Sequence, residues 1–209
     1  MDYKGLLVGL GNPGREYEAT RHNMGFAFVS MLIGLAEREG CVDLMNGTKF
    51  SCELFRVRLH HLGGPWLVAK PLTFMNSSGC CIQPLLAWHK LTTNHLLVAH
   101  DELDIPAGAL RFKRGGGNAG HNGLKSITES LGTPDFCRLR MGIGHPPYRG
   151  SVLGWVLGRP DTADAALLDA MLPKALDVLF IFAGKGMGAA ARTARGASTQ
   201  TADDNTTKI

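Results

Sequence analysis

Nothing in this 209-residue sequence approaches the run of about 20 apolar residues that a helix needs to cross a bilayer. The N-terminus, Met1-Asp-Tyr-Lys4, enters an apolar strand pattern directly. It lacks the basic region, longer apolar stretch and small-residue cleavage site of a secretory leader, so a secreted protein is not expected. Charged residues are only 19% of the chain and apolar residues 44%, which argues against a disordered chain or a coiled coil and is enough for one core. Cysteine is sparse and badly spaced for metal or redox chemistry. Cys41, Cys52, Cys80, Cys81 and Cys137 contain no C-x-x-C pair, and adjacent Cys80 and Cys81 are poorly placed to close on each other. They read as buried thiols of a reducing compartment. Internal repeats are lacking as well.

What is abundant is glycine, 27 residues in short clusters, a pattern suited to backbone-built sites. The positive charge is also localised. From Arg111 to Arg149 seven basic residues face two acidic ones, a net +5, while the rest of the chain is −1. A basic segment beside a glycine cluster is either a solvated face or a polyanion site.

Apolar patterning predicts strands at Leu6–Leu10, Lys49–His60, Trp66–Lys70, His95–His100, Leu110–Lys113 and Cys137–Ile143. Helices are predicted over Met24–Gly40, from a Ser78 cap to Trp88, over Asn122–Leu131, and from Asp161 to Phe182, with Pro173 kinking or splitting the last. Strands alternating with helices indicate an α/β layer fold, and a hairpin turn at Gly63-Gly64 makes its sheet mixed. From Gly196 the composition turns small and polar, so one domain over residues 1–195 and a disordered tail over 196–209 are expected.

Gly9-Leu-Gly11-Asn-Pro-Gly14 matches the dinucleotide fingerprint after a strand, but the match is poor in its chemistry. Pro13 removes an N–H that would face a pyrophosphate. The residues that follow, Arg15 to His22, are polar rather than an amphipathic helix, and no acidic residue closes a clear second strand. NAD or FAD binding is therefore disfavoured, and the glycines read as shaping a tight loop that aims Asn12 into a cleft. Three further segments combine a strand end or glycine loop with an amide or imidazole: Thr20-Arg-His22-Asn23, Phe74-Met75-Asn76-Ser-Ser-Gly79 and Gly115 to Gly123. A fourth, His100-Asp101-Glu102-Leu103-Asp104, closes an apolar strand with carboxylates. Together they bring Asn12, His22, Asn76, Asp101, His121 and Asn122 to loop positions of one sheet, where sites tend to be built. No G-x-S-x-G elbow, H-E-x-x-H or paired Cys/His ligand set is present.

These segments, with Lys70 to Gly79, Phe112-Lys-Arg-Gly-Gly-Gly117, Gly120-His-Asn-Gly-Leu-Lys125 and Arg138-Leu-Arg-Met-Gly-Ile-Gly-His-Pro146, occur in order and resemble the bacterial-type peptidyl-tRNA hydrolases from about Leu6 to Arg195. The resemblance implies a single α/β domain with a mixed twisted sheet flanked by helices, usually a monomer, acting in the cytoplasm or an organelle matrix. It implies hydrolysis of the ester between a peptide and the 3′-terminal ribose of tRNA, with the acceptor stem and CCA end as partner and no membrane, metal or cofactor.

By the same resemblance His22 is the general base, Asp101 its orienting carboxylate and Asn12 the donor to the scissile carbonyl or oxyanion. Asn76 and Asn122 resemble the family's amide clamps, with His121, Met75 and Tyr17 about the cleft. Lys113 and Arg140 resemble its grip on the tRNA 5′-phosphate, a point charge beside a planar bidentate donor. Arg111, Arg114 and Lys125 add diffuse attraction, while the glycines at 115–117 and the helix start near Asn122 offer N–H groups. Asn118 stands where many relatives carry histidine and is left outside the catalytic set. His60, His61, His89, His95 and His145 read as structural or exposed. The alternatives are a catalytically silent RNA-binding relative of the same fold and a hydrolase of another acyl ester; the retained Asn12, His22 and Asp101 argue against the first, the basic segment against the second.

Overall fold

The computed structural model describes residues 2–146 and 151–203, the backbone alone over 198–203; Arg149 of the basic segment and tail residues 204–209 lie outside them. The strands are β1 (Gly5–Gly9), β2 (Val42–Met45), β3 (Cys52–Val57), β4 (Trp66–Pro71), β5 (Leu96–Glu102), β6 (Leu110–Arg114) and β7 (Cys137–Gly142). The helices are α1 (Met24–Arg38), α2 (Gly79–Trp88), α3 (Asn122–Leu131), α4 (Val152–Val156) and α5 (Thr162–Asp203). The strands form one seven-stranded sheet in the order β2-β3-β4-β1-β5-β7-β6. Its centre, β4, β1, β5 and β7, is parallel, and antiparallel pairs extend it on both sides.

Burial follows from that position. Leu6, Leu7 and Val8 of β1 are wholly buried, as a parallel strand covered on both faces requires. Alternation then sends Leu7, Leu97 and Leu139 to one face, against Phe28 and Leu32 of α1 and Met171 and Val178 of α5. Leu6, Val8 and Val98 go to the other, against Ile82 and Leu85 of α2 and Leu124 and Ile127 of α3. Each such side chain contributes about 2 kcal/mol relative to exposure.

One contact explains two glycines. The first turn of α1 lies directly on the end of β1: a Cβ on Gly25 would sit 2.3 Å from the Leu10 nitrogen, and one on Gly9 2.2 Å from the Gly25 carbonyl. Only backbone without side chains can approach so closely. The consequence is positional, because the 3-10 turn Arg21–Asn23 that precedes α1 is thereby held over the carboxyl ends of β1 and β5.

Several expectations need correction. Ser78 precedes α2 but does not cap it: its hydroxyl donates to the Met75 carbonyl at 2.8 Å, and the Gly79 N–H goes to Ser126 Oγ at 3.0 Å. Pro173 lies inside α5, yet the departure from helical geometry falls at Gly186, where φ is +77°. A proline removes one hydrogen bond, whereas a glycine can adopt a dihedral that ends the spiral. Helix α5 continues past Arg195, where the polar tail was expected, to Asp203; residues 197 to 203 hold no proline or glycine to stop it. The cysteines are not all buried: Cys52, Cys81 and Cys137 are, Cys41 is half-buried, and Cys80 faces outward from α2. Edge strand β2 and the short α4 carry patterns too brief to read.

Candidate active site

Open α/β sheets place their crevice beyond the carboxyl ends of the strands, where neighbouring connections diverge. Here β1 has β4 on one side and β5 on the other, and the loops after all three strands meet at that end. Asp101, next to last in β5, is buried there. Both its oxygens lie 2.9 Å from His22 Nδ1, and Oδ1 lies 3.0 Å from His121 Nε2. Burial drives this carboxyl upward, but the charges and hydrogen bonds of His121 and His22 outweigh it, so Asp101 is held well below the usual carboxylate range.

The hydrogen bonds assign both imidazole tautomers. His121 Nδ1 accepts the N–H groups of Gly123 at 3.1 Å and Leu124 at 3.4 Å, capping α3. Its proton therefore sits on Nε2 and is donated to Asp101. His22 Nδ1–H also points at Asp101, which leaves His22 Nε2 as a lone pair able to accept a proton. His22, Asp101 and His121 are the one group of metal-ligating side chains among the described residues. His22 Nδ1 and His121 Nε2 are committed to Asp101 and His121 Nδ1 to the start of α3, which leaves His22 Nε2 as the one open ring nitrogen, an arrangement that suits proton transfer better than coordination. The capping also corrects one expectation: the N–H groups of Gly123 and Leu124 at the start of α3 are taken by His121 and are not free for a phosphate.

A cavity of about 410 Å³ opens beside the pair, lined by His22, Asp101, His121 and Asn122 on its polar side and by Val152 and Leu153 of α4 on its apolar side. Among the described residues, no serine, threonine or cysteine lines it. His145, read as structural or exposed, is exposed but also borders this cavity and pairs with Asp104 at 2.9 Å.

Asn12, Tyr17, Met75 and Asn76 are not on that wall and form an adjoining lip. Asn12 Oδ1 accepts the Met75 N–H at 2.8 Å, which turns its amide nitrogen outward as a donor. Tyr17 meets the exposed ring of Phe74 edge-on at 6.5 Å, and Asn76 is exposed nearby. Met75 was expected to line the cleft; its side chain is instead buried in the core, against Gly123, where an added Cβ would lie 2.6 Å from its sulfur.

Two residues outside the expected site set hold this lip and turn. Asn23 grips Asn12 at both backbone groups, Oδ1 taking the N–H at 2.8 Å and Nδ2 giving to the carbonyl at 3.0 Å. Arg21 is buried, stacks 3.6 Å over Trp155 and pairs with Asp164 at 2.8 Å, tying the His22 turn to α4 and α5. The only signal for either was their adjacency to His22.

The basic segment separates into different kinds of residue. Arg138 is fully buried and donates to the carbonyls of Gly117 at 2.8 Å and Gly116 at 3.0 Å, so it braces the glycine loop rather than adding to a solvated patch. Burial lowers its pKa, yet it stays a cation. Arg114 is paired with Asp135, and Lys125 stands 4.0 Å from Glu129. Lys113 and Arg140 stay close on one face, and Lys113 is pushed below the usual lysine value by burial and then by the charges of Arg140 and Arg138. Arg140 Nε donates to buried Glu102 at 2.9 Å.

An imidazole with an open lone pair and a buried carboxylate behind it, beside a cavity with no serine, threonine or cysteine among its described lining residues, are the parts of a hydrolase site. The peptidyl-tRNA hydrolase family model matches residues 6–202. The peptidyl-tRNA hydrolase of Desulfovibrio desulfuricans is 68% identical over 194 residues, covering 93% of this chain and 85% of that protein. That of Nitratidesulfovibrio vulgaris (Miyazaki F) is 53% identical, covering 93% and 97%. The crystal structure of the Acinetobacter baumannii enzyme superposes with a TM-score of 0.84 at 36% identity, covering 93% and 97%. The chain belongs to the peptidyl-tRNA hydrolase family.

Proposed function

We propose that this chain hydrolyses the ester joining a peptide, or an N-blocked aminoacyl group, to the 3′-terminal ribose of tRNA, with His22 as the base that activates water. The observation that carries the reading is the His22–Asp101 pair, which leaves Nε2 unprotonated at the cavity wall. Water attacks the ester carbonyl as its proton passes to Nε2, and Asp101 stabilises the imidazolium that forms. The oxyanion takes a hydrogen bond from the Asn12 amide, which its bond to Met75 turns the right way. Collapse expels the ribose 3′-oxygen, which recovers the proton from His22, giving a free carboxylate and tRNA. Such a base contributes about 10²–10⁴-fold in rate.

Asn76, Asn122 and His121 address the peptide and the attacking water, Tyr17 and Phe74 form an apolar edge, and Met75 acts through its N–H and its packing beneath Gly123. Lys113 and Arg140 hold the 5′-phosphate of the acceptor stem while the CCA end enters the cavity. The enzyme works as a monomer in the cytoplasm, on peptidyl-tRNA left by aborted translation. No helix among the described residues is long and apolar enough to cross a membrane.

The test is release of the acyl group from N-blocked aminoacyl-tRNA. Turnover is expected to fall by about 10³-fold in His22→Ala, with affinity for a tRNA mimic within about threefold of the parent. Activity is expected to survive dialysis against EDTA. Near-parental turnover in the variant, or metal-dependent recovery after chelation, would sink the mechanism.

A further inference from the structure

Arg140 and Glu102 form an ion pair of unusual geometry. An arginine that serves only as a counter-ion to a buried carboxylate normally offers two nitrogens in a fork. Arg140 instead donates through Nε alone, to Glu102 Oε2 at 2.9 Å, and its two terminal nitrogens donate to no described residue. The other carboxylate oxygen, Oε1, takes only a long contact of 3.4 Å from the Asp104 N–H. Glu102 is 5% exposed, so its carboxyl oxygens depend on these few contacts rather than on water.

The strand register explains why an anion is needed there. Across the β6–β7 ladder Arg111 lies opposite Arg140 and Lys113 opposite Arg138, two like-charged pairs on one face of the sheet. Directly opposed like charges are destabilising. Successive side chains of β5 face opposite ways, so Asp101 turns to the imidazoles while Glu102 turns to this cationic face.

The geometry points to Glu102 as the positioning residue of the phosphate clamp: it holds Arg140 from behind by Nε and aims the free Nη edge, with Lys113 beside it, at the 5′-phosphate of tRNA. This rests on the proposed clamp. Because Asp101 and Glu102 are consecutive in one strand, the grip on the phosphate and the grip on the catalytic imidazole share a rigid frame. Glu102 borders the same cavity as Asp101, and the role assigned to it is to position Arg140 rather than to act on the ester.

The experiment measures the phosphate preference, which is kcat/KM for N-blocked aminoacyl-tRNA divided by that for the same tRNA lacking its 5′-phosphate. Glu102→Gln should lower the preference about tenfold, the scale on which partners behind a ligating group act. The loss should fall in KM rather than kcat, and Glu102→Gln with Arg140→Ala should be no worse than Arg140→Ala alone. Glu102→Asp, which keeps the charge but shortens the reach, should fall between parent and Glu102→Gln, and serves as the test if Glu102→Gln does not fold. Equal losses on both tRNAs would mean that Glu102 supports Asp101 or the core, and a raised preference that it competes with the phosphate; either overturns the proposal. If Arg140→Ala removes the preference and Glu102→Gln keeps it, the clamp stands and only the role of Glu102 fails. If the parent shows no preference, or Arg140→Ala retains it, the clamp reading fails and this inference with it.

Discussion

Two polar regions meet at β5, and they are built on opposite plans. Around Asp101 attraction dominates: one carboxylate serves two imidazoles, and each imidazole has its tautomer set by what it touches. Along β6 and β7 repulsion is tolerated, with arginine opposite arginine and lysine opposite arginine. The first region is complete within the chain, as the proposed proton transfer requires. The second is left short of negative charge. On the proposed clamp, the phosphate of the substrate supplies the missing anion. The contrast also shows why net charge was a poor guide: of the basic residues in the segment, Arg138 is spent on loop carbonyls and Arg114 on Asp135.

The largest effect that would break this comparison is expected at Asp101. Asp101→Asn replaces an acceptor of two N–H donors by a group that must itself donate from one side, so one imidazole is forced into the wrong tautomer. We expect kcat to fall by about 10²–10⁴-fold with KM little changed. A variant within tenfold of the parent would mean that the imidazole is not oriented by this carboxylate.

A smaller effect is expected on the cationic side. Lys113→Ala should lower kcat/KM for full-length N-blocked aminoacyl-tRNA about tenfold and reduce the slope of log K against log salt by about 0.7–0.9, the release expected from one lost phosphate contact. A minimal substrate, the N-blocked aminoacyl ester of the terminal nucleoside, has no distant phosphate and should lose much less. Matching losses on both substrates would assign Lys113 to the fold, and the contrast between the regions would collapse.

The smallest effect concerns His100, which lies between them. It is buried, its Nδ1 donates to the Asp101 carbonyl at 2.7 Å, and its Nε2 has no partner. Burial holds its pKa well below the ordinary 6.5, so it is neutral in the fold. The unfolded chain binds a proton here as pH drops below about 6.5 while the fold does not, so stability is lost on acidification, by up to about 1.4 kcal/mol per pH unit. Urea unfolding between pH 7 and pH 5 should show a weaker pH dependence in His100→Asn than in the parent. Parallel pH dependences would show that other groups set the acid limit.

Much of the fold was legible because its signals are local. The apolar run at Leu6 to Leu10, the helical period after Met24 and the turn at Gly63-Gly64 each report a backbone preference that neighbours in sequence already satisfy. Edge strand β2 was illegible because it is four residues long and half-exposed, so neither length nor alternation marks it. Pro173 misled because a residue type shows what it disfavours, not whether tertiary packing will tolerate it; α5 is held by Met171, Ala175 and Val178 in the core.

The site divides along the same line. The sequence by itself determined which chemistry was available: imidazoles, amides and carboxylates at strand ends, with no nucleophile elbow or metal set, in ordered segments that mark the family. Only the tertiary structure decided how those groups are used. That His121 shares Asp101 with His22, that Asn23 rather than a glycine aims Asn12, that Met75 is packed inward and Arg138 spent on a loop are all contacts between residues far apart in the chain. A side chain's type limits the bonds it can make, but partners and burial choose among them, and both are properties of the folded chain.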